Sequence, residues 1–594
     1  MSLGGTYSRS DSLLESERAV RQLAAAPELG RFRTLLPETE QFGFNGVISG
    51  HVLNDVSATA NGRVDVNHSE SLLGLGLNGP LRRNSDRTVG HFGTTINGRI
   101  GHWQWTTIAN YDHNEATVLT DAFDGVSRRD RARSIDRLAN VDFLFSGPVV
   151  SLPGGPLSTS VRFGADFRDF TSRASFGITD VRADLSRDRG AAQIDLDLPI
   201  FSSKDKQVSL LGNLSFNANG SVERLSDAGT LTSYGYGLSW SPIPAVSIIA
   251  SATHEEGAPT LEQLGGPRLV TPNVRTFDFV RREVVDVARS SGGNPDLRND
   301  DRHLVRLGLN VRPLPKTDLS LSFDYVSTRI NNPIATLPIL TSQIETAFPE
   351  RFARDAQGRL EGIDGRAINF AQSSQEQIRW GINFTRPLGP VPDVLRTARV
   401  KVYNSLEDAR RANPNAIFSQ SDSTSALPRG AANLTSRLFL SLYHNWCLED
   451  SILLRNGLPA LDLLRGGAVD FLGGRRRHEV DFQAGAFKRG FGIRLAATWR
   501  SGTEVRGFGG QDGVLRFNDY AVANLNLFAN LAERYGKGRA PSWLKGMRAT
   551  LGVTNLFNTR PQVRDTAGLT PLSYQPAYLD PLGRMLTFNL RKVF

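Results

Sequence analysis

The sequence predicts an all-β fold, a large antiparallel transmembrane β-barrel in which about 20 strands are recognisable by eye. Three observations predict it. Period-2 segments recur from near residue 42 to the end of the chain. The last segment sets Leu586, Phe588, Leu590 and Phe594 on one face and Thr587, Asn589 and Arg591 on the other. Very short proline-built connections alternate with long polar ones.

Residues 1–40 form a pre-barrel segment and residues 41–594 the barrel. Within the first segment, 11–29 reads as a short helix. Beyond it the alternation is explicit. Val305, Leu307, Leu309 and Val311 alternate with Arg306, Gly308, Asn310 and Arg312, and Leu319, Leu321, Phe323 and Tyr325 with Ser320, Ser322 and Asp324. Val208, Leu210, Leu214 and Phe216, then Phe491, Ile493, Leu495, Ala497 and Trp499, then Ala523, Leu525, Leu527 and Leu531 repeat the pattern. A tilted strand needs about 9–11 residues to cross a bilayer, and these segments reach that length. Leu458–Arg465 reads as a turn or two of helix.

The connections carry the second argument. Ser241-Pro242-Ile243-Pro244, Arg312-Pro313-Leu314-Pro315 and Pro387-Leu388-Gly389-Pro390 read as tight turns. Long polar loops are expected near 255–302, 327–366, 405–430 and 558–582. Transmembrane barrels combine short turns at one end with long loops at the other. Trp240 adjoins a proline turn and Trp543 follows Pro541, as expected for an interfacial aromatic girdle. Lys592 departs from the pattern by standing on the apolar face of the last strand, where its stem can snorkel to an interface.

Composition agrees. Hydrophobic residues make up 39% of the chain, with 57 Gly and 29 Pro. No apolar run reaches the ~18 residues of a spanning helix, whereas a barrel needs apolar side chains only at alternate positions. Mean hydropathy is −0.27. One cysteine, Cys447, excludes a disulfide framework and a cysteine-ligated metal cluster within the chain. The formal charge of +9 is scattered, which speaks against nucleic acid as a partner. Residues 1–30 hold no apolar stretch of the ~7–15 residues of a secretory signal.

Several motifs in order resemble the barrel of TonB-dependent receptors. Gly257-Ala258-Pro259-Thr260-Leu261-Glu262-Gln263-Leu264 is similar to the segment that opens a long external loop there. Gly293-Asn294-Pro295-Asp296-Leu297 is similar to the Gly-Asn-Pro-x-Leu motif, with Arg298-Asn299-Asp300 where Lys-Pro-Glu is usual. Val553-Thr554-Asn555-Leu556-Phe557-Asn558 followed by Pro561 resembles the late-barrel Asn-Leu-Phe-Asn motif. Pro581-Leu582-Gly583-Arg584 then leads into the terminal strand.

The resemblance covers residues 41–594. It implies a barrel of about 22 strands, and a Gram-negative outer-membrane receptor for TonB-dependent uptake of a scarce nutrient of the siderophore, vitamin or glycan class. It further implies outer-membrane lipid and the barrel assembly machinery as partners, with Leu586, Phe588, Leu590 and Phe594 as the assembly signal. Asn294, Pro295, Asn555, Leu556, Phe557 and Asn558 are expected to be structural members of the motifs. The family's barrel is normally occluded by an N-terminal plug. Residues 1–40 are too few for one, so the chain reads as an N-terminally truncated form, with 1–40 as a plug-junction remnant or a first irregular strand. The TonB energising complex is then a partner only if a plug and box lie upstream. The alternatives are a plugless, porin-like passive channel and a non-functional fragment; a soluble all-β binding protein leaves the terminal strand and motifs unexplained.

No catalytic, cofactor or metal residues are expected. His254-Glu255 and His478-Glu479 begin zinc-protease-like motifs, but Ala258 and Phe482 occupy the second histidine position. Gly74-Leu75-Gly76-Leu77-Asn78-Gly79 matches a dinucleotide fingerprint by letter without its helix, and reads as a turn. Asp300, Asp301 and His303 could coordinate a cation, but a solvated loop entering a strand is the favoured reading. Gly473-Gly474-Arg475-Arg476-Arg477-His478 reads as a turn with lumenal or interfacial arginines, with phosphate binding the lesser reading. Arg306, Asn310, Arg494 and Arg500 are placed on the lumen face.

Overall fold

The computed structural model of the chain describes all residues except 19, 23–26, 54, 123–127, 203–210, 279–280, 282, 315–316, 338–340, 389–435, 469–472, 489, 508–512, 533–540 and 594. Val208, Leu210, Pro315, Gly389, Pro390, the loop expected at 405–430 and Phe594 therefore lie outside the described residues.

One sheet of 21 strands dominates. One of the 21 is the two-residue strand Leu461–Asp462, an outlier on the edge of its neighbour, which leaves twenty wall strands among the described residues. The first is Ser2–Ser10, followed by Glu38–Leu53, Val56–Gly76, Gly79–Ile100, Trp103–Asp121, Arg129–Leu152, Gly155–Phe176, Thr179–Phe201, Asn213–Leu225 and Gly229–Ile243. The second ten are Val246–Gly257, Asp300–Val311, Asp318–Asn331, Gln372–Pro387, Arg437–Leu453, His478–Lys488, Phe491–Arg500, Tyr520–Asn530, Met547–Thr554 and Met585–Lys592. Each is antiparallel to the one before it, so the wall is a meander.

Alternation decides what each face meets. Directly opposed residues share a face, and a one-residue slip would move every side chain to the other side. Phe42 opposes Val66, Phe44 opposes Val64 and Phe92 opposes Tyr111. All six are strongly exposed, as are Phe163, Phe167, Tyr234, Tyr236 and Leu238. In a water-soluble protein this would be an aggregation surface. On a barrel wall it is the lipid-facing band, and the polar partners Arg, Asp, Asn and Ser line the interior.

The two ends of the wall differ. At one end strands are joined by short turns such as 101–102, 153–154 and 244–245. At the other end the connections fold. Strands from Val56 to Phe201 run for 19–24 residues, about twice a bilayer crossing, and stand up as tall hairpins. The Leu77-Asn78 tip of one is the turn of the glycine-rich 74–79 stretch, where Gly74 and Gly79 take φ of +105° and +119°.

Later strands instead carry loops with secondary structure of their own. The hairpin Leu269–Asp278/Glu283–Ser291 joins Leu360–Asp364 and Phe352–Arg354 in a four-stranded sheet, and Thr503–Arg506, Val514–Phe517 and Val563–Arg564 form a three-stranded one. Among the described residues, the seven largest fully buried side chains are Leu261, Leu337, Ile344, Leu515, Val287, Val563 and Asp278. Every one belongs to a loop, so the dry core of this chain sits above the wall. One cluster packs Val287 with Leu337, Ile344, Phe348 and Ile452; a second packs Leu515, Phe517 and Val563 with Tyr574.

Three local expectations change. Residues 11–29 do not form an α-helix; the described part holds 3-10 turns at Glu15–Arg18 and Pro27–Phe32, and Leu13–Leu14 pairs with Thr34–Leu36. Leu458–Arg465 contains the short strand Leu461–Asp462 in place of helix, because its carbonyls and amides are taken by Ser451 and Ile452. Pro387 does not enter a tight turn. It opposes Arg437, so residues 388–436 connect these two strands at the short-turn end.

Lys592 has a physical reason for its place. It opposes Met547 on the outward face, and its ammonium donates to the Trp543 carbonyl at 2.5 Å, which carries the charge out of the apolar band.

Candidate functional site at the folded-loop mouth

The hairpin Leu269–Ser291 is the organising element of the mouth. It leaves the wall between the eleventh and twelfth strands. Its residues meet the third and fourth: the Asn273 amide donates to the Leu73 carbonyl at 2.9 Å, and Arg83 donates to the Val270 carbonyl at 2.9 Å and to Thr271 at 3.0 Å. In a ladder of twenty, eight strands is most of the way to the far side. The hairpin therefore crosses the lumen opening. Arg33 meets it there, donating to Asp286 at 2.6 Å and to the Asn273 carbonyl at 3.1 Å. Asn273 itself holds φ of +56°, a left-handed value that asparagine adopts more readily than most residues.

Buried charge locks the layer. Asp278 is wholly buried and accepts from both terminal nitrogens of Arg354, at 2.7 and 2.9 Å. Arg354 also reaches Glu345 at 2.7 Å. The hydrogen bond from Asp278 drives the Arg354 guanidinium further above its ordinary range, against the effect of burial. Asp364 is held down at about 2: burial pushes its carboxyl up, but Arg366 and Arg351 together outweigh it.

The motif residues pin the loop bases. The Asn294 amide donates to the Ala367 carbonyl at 2.8 Å, its oxygen accepts from the Asp296 N–H at 3.1 Å, and its own N–H donates to the Gln263 carbonyl at 2.7 Å. Thr260 and Gln263 cap each other at the start of the helix Leu261–Gly265. Asn555 and Asn558 take φ of +51° and +54°. Asn555 exchanges hydrogen bonds with Thr559 in both directions, at 2.7 and 2.9 Å, and Asn558 accepts from the Arg584 N–H at 2.9 Å. Leu556 donates its N–H to the Ala523 carbonyl, whereas the Phe557 ring is exposed. Pro295 lies in the turn before Leu297.

Below the loops a cavity of about 740 Å³ opens on the interior face, within the range for small ligands. Cys447, Glu479 and Arg500 line it, with Gln375, Asn445 and Arg475. Asn445, Cys447, Glu479 and Arg500 stand on the polar side of their strands, each one position from an outward Trp or His. Arg500 donates to Glu479 at 2.8 Å and to the Tyr520 hydroxyl at 3.3 Å. Arg476 lies over the Tyr520 ring at 5.0 Å. Arg475 stands 3.3 Å from Asp450 with about half its side chain exposed, so it can turn toward a ligand. Gly473 and Gly474 bring the backbone against the cavity, Gly473 at φ +100°.

Of the lumen-face residues read from the sequence, Arg500 enters this cavity. Arg306 pairs with Asp324 at 2.7 Å on the interior wall, and Arg494 donates to Gln483 at 2.8 Å. Asn310 opposes Ser247 and Ser322 on the same face. Sequence reasoning missed Gln375, Asn445 and Glu479; the signal available was their parity, since each alternates with Ile378, Trp446 or Val480. Cys447 is buried, and its thiol donates to the Glu449 carbonyl at 3.4 Å.

A family model described as TonB dependent receptor-like, beta-barrel matches residues 36–556. The solved ferric enterobactin receptor of Pseudomonas aeruginosa is 12% identical with a TM-score of 0.61, over 99% of this chain and 74% of that one. The ferripyoverdine receptor of the outer membrane of the same organism, bound to ferripyoverdine, is 10% identical with a TM-score of 0.53, over 88% of this chain and 62% of that one. The siderophore receptor PirA of Acinetobacter baumannii gives 10% and 0.52, over 93% and 77%. At such identities the likeness is one of fold. No curated protein matches.

Proposed function

The chain belongs to the TonB-dependent receptor-like β-barrel family, and from that premise we propose that it is an outer-membrane receptor barrel that captures an anionic ferric chelate of the siderophore class at its folded-loop mouth. The observation that carries the reading is the cavity beneath the loop layer, where Arg475, Arg476 and Arg500 converge with amide donors from Gln375 and Asn445. Iron(III) is a hard ion held by oxygen donors, and the chelates that wrap it present oxygen-rich surfaces. Guanidinium groups recognise such oxygens by short, charge-assisted hydrogen bonds. The similar solved proteins bind ferric enterobactin or ferripyoverdine by name. Capture is a binding event and calls for no bond-breaking residue. Energised passage is proposed for a polypeptide that also carries a plug and a TonB-binding box.

Titrating ferric enterobactin and ferripyoverdine into the detergent-solubilised full chain, read by tryptophan quenching, tests this. Saturable binding of one chelate, weakened about tenfold or more by Arg475→Ala with Arg476→Ala, is expected. Absence of saturable binding together with wide-pore conductance in planar bilayers would overturn it in favour of a passive channel.

A further inference from the structure

We propose that His254, Asp301 and His303 form a site for a divalent transition-metal ion of the zinc class on the outer wall of the barrel, where the lipid-facing band ends. The site lies on the opposite face of the wall from the lumen cavity and does not depend on the capture reading.

Strand register assembles it. His254 and His303 are direct cross-strand partners, and Asp301 is two residues from His303 on the same strand. All three therefore point to one face. That face is the outward one, because the next residues down each strand are Ala252, Ala250 and Ile248 against Val305, Leu307 and Leu309. The trio is the first polar row above this apolar run, and the His303 side chain is about half exposed.

The distances suit a metal. The three ligand atoms lie within 4.8 Å of one another. His254 Nδ1 stands 3.1 Å and His303 Nε2 3.3 Å from Asp301 Oδ1. Zinc bonds to nitrogen and oxygen of about 2.0–2.2 Å put tetrahedral ligand atoms about 3.3 Å apart, so two edges are already set. His254 Nδ1 and Asp301 Oδ1 are buried atoms with no hydrogen-bond partner among the described residues. They approach each other closely yet are not aligned as donor and acceptor. A buried polar atom left unmatched carries a cost that a cation would remove.

The surroundings hold the ligands in place. The Asn331 amide donates to Asp301 Oδ2 at 3.2 Å, which leaves Oδ1 for the metal. The His254 ring packs against Tyr234 at 4.9 Å and His303 at 4.6 Å, which restricts both imidazoles. Glu256 opposes Asp301 on this face, and its carboxylate is taken by the Thr232 N–H at 2.7 Å. Arg329 opposes His303 from the next strand. One cation and two carboxylates leave the patch negative by one charge. Two imidazoles and one carboxylate with open positions favour zinc-class ions over calcium or magnesium, which prefer all-oxygen shells.

The test is Zn²⁺ alone, titrated into the full chain refolded in detergent against a chromophoric chelator. One equivalent is expected, and Co²⁺ should give visible d–d bands. Supporting partners of a metal ligand contribute about 10–100-fold, so Asn331→Ala should weaken binding within that range and His303→Ala or His254→Ala by more. The half-buried pair His444 and His478, 3.2 Å apart on the same outward face, supplies a control: His478→Ala should leave binding unchanged. Heat-modifiable migration on gels checks that each variant is folded. Equal zinc binding by folded His303→Ala, or loss on His478→Ala instead, would overturn the assignment.

Discussion

Arg33 and Asp286 meet at 2.6 Å, 7% and 15% exposed, and join the segment before the second wall strand to a hairpin that leaves the wall nine strands later. This contact fastens the far end of the mouth-spanning hairpin. Asp286 also lies 3.5 Å from Arg275, which reaches Gln22 at 3.1 Å, so two arginines share one carboxylate.

Removing Asp286 should therefore free the hairpin without opening the wall. Breaking one side of a buried pair costs about 3–5 kcal/mol, because the remaining charge loses its partner in a dry site. With Asp286→Ala, hydrogen exchange across Leu269–Ser291 should accelerate to loop-like rates, and exchange in strands such as Phe491–Arg500 should not change. Unchanged protection of the hairpin would show that its hydrophobic contacts through Val287 suffice.

Acid should loosen the same layer at a defined pH. The Asp364 carboxyl lies at about 2, below the ordinary 3.8, because the opposed arginines outweigh its burial. A depressed carboxylate adds stability above its unfolded value, and that stability is lost as pH falls through the folded one. The window is thus from about 4 to about 2. The full shift corresponds to about 2 kcal/mol, reduced to about 1 by solvent access. Protection of Leu360–Asp364, corrected for intrinsic exchange, should be flat from pH 7 to 4 and fall below it. Asp364→Asn should abolish the step.

The wall was legible in the sequence because lipid imposes one rule on every strand. Leu525, Leu527 and Leu551 could be assigned to a face by counting, without knowing their neighbours, and Val305 to Val311 likewise. Loops obey no such period. Leu337 and Ile344 lie in a stretch whose apolar residues keep no sustained period, and only the folded chain brings them against Val287 and Ile452. The strand Leu269–Asp278 is hidden by Pro272 and Asn273, which break its alternation through a register shift between Thr271 and Val274. The metal trio shows the same limit. Asp301 and His303 are visible as a pair, but His254 joins them only through strand register. Asn555 was recognisable by motif, yet its reason, a left-handed turn tied to Thr559 and Asn524, is a matter of backbone geometry.

The terminal strand gives the sharpest test of which side faces lipid. Leu586, Phe588 and Leu590 oppose Val553, Leu551 and Ala549, and all three are more than half exposed, at 70%, 71% and 53%. Thr587 opposes Gly552 on the interior side, and its hydroxyl donates to the Gly552 carbonyl at 3.4 Å. Phe588 stands mid-strand, where an arginine on the lipid face costs about 2–4 kcal/mol. Phe588→Arg should therefore sharply reduce the folded, heat-modifiable form recovered from outer membranes. Thr587→Arg, one residue away, places the same charge in the interior and should assemble close to normally. Equal defects in the two variants would mean that the strand tolerates no bulk on either side and that its outward face is not what assembly reads.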